Sequence, residues 1–429
     1  MPTIRHWTTI LCTCLGVVFS NSRSQADDPA APRRDYGIPV LDLSGLPQFH
    51  TIVAKDLDQE NQYLGHPTTV LLDDHKSILA AFPTGHGGGD LRLMRSTDGG
   101  HTWARQSLSP EVRLHEVPTL FSTQLPNGKT RLVLVTCVPR TGEFQWMDSD
   151  DQGISWSPLR TQDLGLKNGI IVSLASMWRV HDPAGEPTHT WRGVFHDFRY
   201  ENYTIDLSFQ QNPAAHNGWE TTWNGLRRIE FTTPAGLDRS RAAQLCEAGA
   251  IRSPDGSQLA LLFRPQRKRT NAMISLSNDE GLTWSDPQEL SGSLTGERHV
   301  ARYAPDGRLL ITFRDYSPLH PGNPTHADWV GWVGRWEDLV GQGEGQYRIR
   351  MQDNYGNSTN NNVGDCGYAG IELLPDETFV CTSYGHWELA PGEMHPNGRG
   401  RAPYIITTRF RLPELDAMVK SGQHLLRPE

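Results

Sequence analysis

The sequence predicts an all-β fold, a six-bladed β-propeller, and three observations predict it. An eight-residue pattern, S-x-D-x-G-x-[ST]-W, occurs three times along the chain. Turn formers are abundant, with 41 glycines and 29 prolines in 429 residues, which divides the chain into many short strands. Units of about 50–65 residues with alternating apolar strands have the size of four-stranded blades, and six of them fill the chain. A hydrophobic share of 37% without a sustained heptad excludes disorder, collagen and coiled coil. A net charge of −9 argues against a phosphate-tracking surface, so no nucleic acid is expected as partner.

The chain begins with a leader. Arg5 and His6 precede an apolar run, Ile10 to Phe19, too short to span a bilayer, and Ser24-Gln25-Ala26 offers the small residues a signal peptidase reads. Residues 1–26 are therefore expected to be a signal peptide, and 27–429 a single domain of 403 residues. Loss of Arg5 and Arg23 takes the net charge to −11. Cys14, three residues after Leu11, offers a lipoprotein alternative, but the apolar run continues past it. The reading is an exported (secreted or periplasmic) monomer with no membrane span. Cys137, Cys246, Cys366 and Cys381 remain after cleavage. They are too sparse for a disulfide scaffold and lack zinc-finger spacing, so buried free thiols are expected.

The repeats come next in the chain. Ser96-Thr97-Asp98-Gly99-Gly100-His101-Thr102-Trp103 recurs as Ser149 to Trp156 and as Ser277 to Trp284. Asp and Ser can bond the backbone of a tight turn, Gly supplies a positive φ, and Trp packs beneath the hairpin. Trp103 and Trp156 lie 53 residues apart, and the 128 residues from Trp156 to Trp284 leave room for two units. Asn217-Gly218-Trp219 through Trp223 reads as a worn copy between them, and Trp336 as the mark of a fifth unit. A two-sheet sandwich would not need a repeated hairpin signature.

A second register locates a site. In four units an apolar strand, a turn with Asp and a second apolar strand align on Asp74, Asp255, Asp306 and Asp376. Eight residues before each stand His66, Glu247, Arg298 and Tyr368. Rotation about a propeller axis would bring these four to one central mouth. The second strands end beside the same mouth, at Arg264, at Arg314-Asp315 and at His386. A wet channel alone accounts for polarity there, but less well for Glu, Tyr and several Arg together.

At these residues the chain resembles the sialidase (neuraminidase) superfamily of Asp-box six-bladed propellers. The resemblance runs from about His66 to Tyr384. Cys246-Glu247-Ala248-Gly249 through Arg264 is similar to the segment that begins with the catalytic Glu and ends in an Arg that binds the sugar carboxylate. Gly367-Tyr368-Ala369-Gly370 through Asp376 is similar to the segment with the Tyr nucleophile. The resemblance implies Tyr368 as nucleophile, Glu247 as its base, Asp90 as leaving-group acid and Arg264 as substrate clamp, with no obligatory cofactor. A neutral Tyr suits sialic acid, whose own carboxylate would repel an anionic nucleophile. One departure stands out: Gly65-His66-Pro67 occupies the place of the family's first-blade Arg. His66, Arg298, Arg302 and Arg314 are the candidates to rebuild the substrate-binding clamp.

The expected function is an exported, retaining, exo-acting hydrolase of terminal acidic sugars on glycans. The alternative is a polysaccharide lyase, in which Arg neutralises a uronate and His or Tyr abstracts its C5 proton. His66, His86, His115, His196, His299 and His386 are the histidines that could serve, and no spacing among them specifies a metal. A third reading is a glycan-binding propeller without catalysis, with Trp146, Trp178, Trp329, Trp332 and Trp387 as stacking platforms.

Overall fold

The computed structural model describes residues 36–55, 63–86, 89–108, 113–114, 117–231, 244–268, 270–316, 323–354, 365–387 and 403–426. The expected signal peptide, with Cys14 and the cleavage site, and His115 lie outside the described residues.

Six antiparallel sheets follow one another along the chain as six blades. Two strands precede the first blade, β1 (Val40–Asp42) and β2 (His50–Ala54). Blade one comprises β3 (Thr68–Leu71), β4 (Ile78–Pro83), β5 (Gly89–Ser96) and β6 (Ala104–Gln106), and a short β7 (Arg113–Leu114) pairs with β5. Blade two is β8 (Thr119–Gln124), β9 (Thr130–Cys137), β10 (Glu143–Ser149) and β11 (Arg160–Asp163). Blade three is longer in its strands: β12 (Ile170–His181), β13 (Pro187–Asp197), β14 (Asn202–Gln211) and β15 (Trp219–Arg228). Blade four is β16 (Leu245–Arg252), β17 (Leu259–Pro265), β18 (Met273–Ser277) and β19 (Gln288–Glu289). Blade five is β20 (Gly296–Tyr303), β21 (Leu309–Asp315), β22 (Trp329–Gly334) and β23 (Tyr347–Gln352). Blade six is β24 (Ala369–Leu373), β25 (Phe379–Gly385) and β26 (Tyr404–Phe410).

The ring is closed by the early strands. Blade six takes its outermost strand from β2, which pairs with β26 in the register His50 to Thr408. Strand β1 adds to blade five, parallel to β23, and Arg350 Nε donates to Asp42 Oδ1 at 3.0 Å across that pair. The β2–β26 pair thus joins strands from both ends of the domain and gives blade six its fourth strand.

Blades pack face to face through aliphatic layers. Leu79 and Leu93 of blade one meet Leu120, Leu132 and Leu134 of blade two in one buried cluster. Each such side chain contributes about 1.5–3 kcal/mol on burial.

The repeated octapeptides form the turns between third and fourth strands of blades one, two and four. In each, the Ser hydroxyl donates to the Asp Oδ1 at 2.8 Å and accepts from the Gly N–H at 2.8–2.9 Å. The Asp also takes the N–H and hydroxyl of the following Thr or Ser. Glycine is needed at Gly100, Gly153 and Gly281 for two reasons. Their φ values are +86°, +81° and +83°, and each backbone presses on the preceding blade, where a Cβ would meet Val380, Leu79 or Trp178 within 2.8 Å. Asp151→Ala, which removes the acceptor from one turn, is expected to cost about 1–2 kcal/mol. Urea unfolding should show a lowered midpoint at unchanged slope, and an unmoved midpoint would mean that the turn holds without its carboxylate.

Two of the sequence expectations take other forms. Asn217-Gly218 does join the third and fourth strands of blade three, but through a short 3₁₀ turn with Asn217 at φ 57°. Trp336 occupies the same connection in blade five and starts a single helical turn, Trp336–Val340. Both positions keep the spacing of the blades without the Ser–Asp hydrogen bonds, so Trp spacing alone reported the period. A C-terminal helix, Leu412–Ser421, buries Leu412 and Leu415 against the cluster shared by blades five and six. Among the described residues no helix is long and apolar enough to cross a membrane. Cys137, Cys246, Cys366 and Cys381 are buried thiols.

Candidate active site

The inner strands of the blades begin at one mouth, and their first residues are unusual in backbone. His66, Glu247 and Arg298 have φ values of 52°, 50° and 60°, and Gly367 just before Tyr368 has φ 87°. Side chains other than Gly adopt this left-handed region only where the surroundings impose it. The pairing registers of β16 and β20 break there, between Cys246 and Gly249 and between Glu297 and Val300. A bulge re-aims side chains. Cys246 and Glu247, neighbours that would face opposite ways on a regular strand, both line one cleft.

The cleft holds about 590 Å³. At its centre the Tyr368 hydroxyl donates to Glu247 Oε1 at 2.6 Å, and Arg264 Nη1 donates to the same oxygen at 3.0 Å. Burial pushes the Tyr368 hydroxyl well above its ordinary range, and the Glu247 charge adds to that. Burial pushes Glu247 upward too, but Arg264, Arg298 and the Tyr368 hydrogen bond outweigh it and hold its carboxyl at about 2. The proton therefore rests on the phenol and the charge on the carboxylate. The His66 ring lies 4.7 Å from the Tyr368 ring, and burial keeps His66 neutral with a pKa of about 3. His196 is fully buried in the same wall, stacks on Tyr200 and anchors Nδ1 on the Asp197 carbonyl at 2.9 Å. Its Nε2 has no hydrogen-bond partner among the described residues.

Two carboxylates, Glu297 buried and Asp365 half-buried, organise the cations. Glu297, 2% exposed, pairs with Arg264 Nε at 3.1 Å, with Lys268 Nζ at 3.2 Å and with Arg314 Nη2. Asp365 accepts from Tyr63 at 2.8 Å and Tyr384 at 2.6 Å, with Arg314 Nη1 3.6 Å away. Arg264, Lys268 and Arg314 thus face one cleft, each neutralised in part from behind.

The four residues of the sequence register do come together, with one qualification of side. His66, Glu247 and Tyr368 line the cleft with Arg264 and Arg314. Arg298 lies beneath: its guanidinium sits 5.1 Å from the Tyr368 ring centroid and lines the central channel instead. Arg302 also faces the channel, bonded to the Ile371 carbonyl at 3.0 Å and paired with Glu372, so the structure removes it from the cleft. The cause is strand rise, which carries it about 13 Å along β20 from Arg298. Asp90 is exposed at the head of β5, stands opposite Arg113 in the backbone register of β5 and β7, and does not line the cleft wall. Of the histidines, His86 and His196 line the cleft, together with His326, which the sequence did not single out. His299 is a core residue bonded to the Leu294 carbonyl, and the His386 N–H is used by Asn354. Trp329, Trp332 and Trp387 are fully buried, and Trp146 and Trp178 are 7% exposed, so these five are packing residues and not stacking platforms.

No protein-family model matches the chain, and no curated protein matches it. Solved structures do resemble it. A crystal structure of a protein of unknown function from Dyadobacter fermentans superposes with a TM-score of 0.55 at 14% identity, covering 84% of this chain and 97% of that one. An α-L-arabinanase of Penicillium chrysogenum, complexed with arabinobiose, gives 0.51 at 13%, covering 85% and 98%. The intramolecular trans-sialidase of Ruminococcus gnavus gives 0.49 at 13%, covering 83% and 96%. At these identities the likeness is one of fold.

Proposed function

We propose that the protein is an exported, retaining glycoside hydrolase that removes terminal acidic sugars of the sialic-acid type from glycans. The observation that carries the reading is the 2.6 Å hydrogen bond from a buried neutral phenol, Tyr368, to a buried ionised carboxylate, Glu247. In this mechanism Glu247 takes the phenol proton as Tyr368 Oη attacks the anomeric carbon, the glycosidic bond breaks with Asp90 giving its proton to the leaving oxygen, and a glycosyl–Tyr368 intermediate forms. Water then attacks that intermediate and gives a proton to the Asp90 carboxylate, while Glu247 returns its proton to Tyr368 as the bond to Oη opens. Arg264 and Arg314 face the sugar carboxylate from one wall, and their guanidinium forks suit its planar geometry.

The decisive experiment is product analysis of the protein incubated with sialylated glycoprotein and, separately, with uronate-rich polysaccharide. Free sialic acid supports the hydrolase. An unsaturated uronate supports a lyase instead, a reading that His196 favours through its buried, unpartnered Nε2 beside Glu247. On this reading Asp90, exposed at the head of β5, is the leaving-group acid. Asp90→Asn is expected to slow an alkyl-linked substrate about 100-fold or more while sparing an aryl-linked one, whose leaving group needs little protonation. Equal losses on both would remove Asp90 from that role. Export after loss of residues 1–26 is tested by intact mass of the secreted protein.

A further inference from the structure

We propose that His66, His86 and Asp365 form a divalent transition-metal site, of the class suited to Zn²⁺, in the lining of the cleft. One ligand atom from each of the three residues lies within 4.8 Å of the others. Two imidazoles and a carboxylate are the donor set of open, three-ligand zinc sites, in which a fourth position is left to water or substrate.

Three independent features support the placement. His66 is 95% buried, and its Nδ1 has no hydrogen-bond partner among the described residues. A buried imidazole nitrogen left without a partner costs free energy unless something fills the position. The Asp365 oxygens are oriented by the hydroxyls of Tyr63 and Tyr384, the kind of outer hydrogen bonding that holds a ligating carboxylate in place. The two imidazoles stand edge to face, centroids 5.2 Å apart, with Tyr63 edge-on to His86 at 5.2 Å. Zinc–nitrogen bonds of about 2.0–2.1 Å bring tetrahedral donors to about 3.4 Å of each other. His86, the exposed member after β4, supplies the movement of about 1 Å that this requires.

A second cluster, His196, Cys246 and Glu247, also has its ligand atoms within 4.8 Å. It is the weaker candidate because Glu247 is already committed to Tyr368 and Arg264. At the first cluster the competing charge is Arg314, whose Nη1 stands 3.6 Å from Asp365 but which keeps Glu297 as a closer partner. A cation bound by His66 would lie beside the Tyr368 ring and face the same cleft as Arg264 and Arg314. On the proposed reading of the cleft, its role is to help receive the substrate carboxylate; the binding itself does not depend on that reading.

The test is calorimetric titration of the chelator-stripped protein with Zn²⁺, and a crystal soaked in Zn²⁺ with anomalous data at the zinc edge. The expected result is one equivalent bound at micromolar affinity or tighter, weakened at least about 10-fold in His86→Ala. Because His86 is exposed, that variant should fold, which circular dichroism checks; His66→Gln is the second variant. Cys246→Ser is expected to bind as the wild type does. No heat and no anomalous peak at 100-fold excess of Zn²⁺ over protein would overturn the proposal. So would affinity unchanged in both His variants, or lost in Cys246→Ser, which would place the metal in the other cluster. Zinc bound as expected by a protein that releases no sialic acid would leave the site standing and defeat only the hydrolase reading.

Discussion

Tyr368→Phe is expected to fold as the wild type does and to lose about 10³-fold or more in kcat on a sialylated substrate. Phe keeps the ring and its neighbours: His66 at 4.7 Å, Tyr384 at 6.2 Å and the Arg298 guanidinium at 5.1 Å. Only the hydroxyl goes, and Glu247 Oε1 retains Arg264 Nη1 as donor, so no buried charge is left without a partner. Stability should therefore change little, while the nucleophile is absent and the covalent route is closed. Glu247→Ala removes the proton acceptor and should lower kcat about 10²–10⁴-fold. The two changes act on one proton transfer, so the double variant should be little worse than Tyr368→Phe. Turnover unchanged in both single variants dismisses the assignment. A loss of uronate cleavage instead of sialoside hydrolysis would keep the pair but move it to the lyase.

The blades were legible because three octapeptides state the turn directly. Their Ser, Asp and Gly are each used in the folded turn, so pattern and structure report the same hydrogen bonds. Tyr368, Glu247 and His66 were legible for a different reason. Blades repeat by rotation, so equal register within a blade becomes proximity at the axis. Glu297 and Asp365 were not legible. A regular strand sends neighbours to opposite faces, and the sequence register selected Arg298 for the mouth. The left-handed backbone at Arg298 and the broken register of β20 place Glu297 in the cleft and Arg298 beneath it. Asp365 sits just before the strand that brings Tyr368, in a segment with no repeat to align it. Arg302 was misplaced because a positive charge near the end of an inner strand reads alike at either end of the channel.

Glu297→Gln is the second large effect, and it separates architecture from chemistry. The substitution keeps the volume but removes the charge that Arg264, Lys268 and Arg314 share. Breaking a buried ion pair from one side costs about 3–5 kcal/mol, because the partner charges remain desolvated. Burial raises the Glu297 pKa, and Glu247, on the other side of the Arg264 guanidinium, raises it further, but Arg314, Arg264 and Lys268 together bring it below its ordinary 4.5. A carboxyl with a lowered folded pKa contributes stability that is complete above 4.5 and is lost as the pH falls through the folded value. The difference in unfolding free energy between wild type and Glu297→Gln should therefore be largest at neutral pH and shrink as the pH drops below 4.5. Urea unfolding across that range measures it, and a pH-independent difference would mean that Glu297 acts through packing and not charge. In the folded variant Arg264 is held by Glu247 alone, and Lys268 and Arg314 lose their common anchor. Substrate affinity should fall through a raised KM, while the Tyr368–Glu247 hydrogen bond and kcat suffer less, since neither atom of that bond touches Glu297.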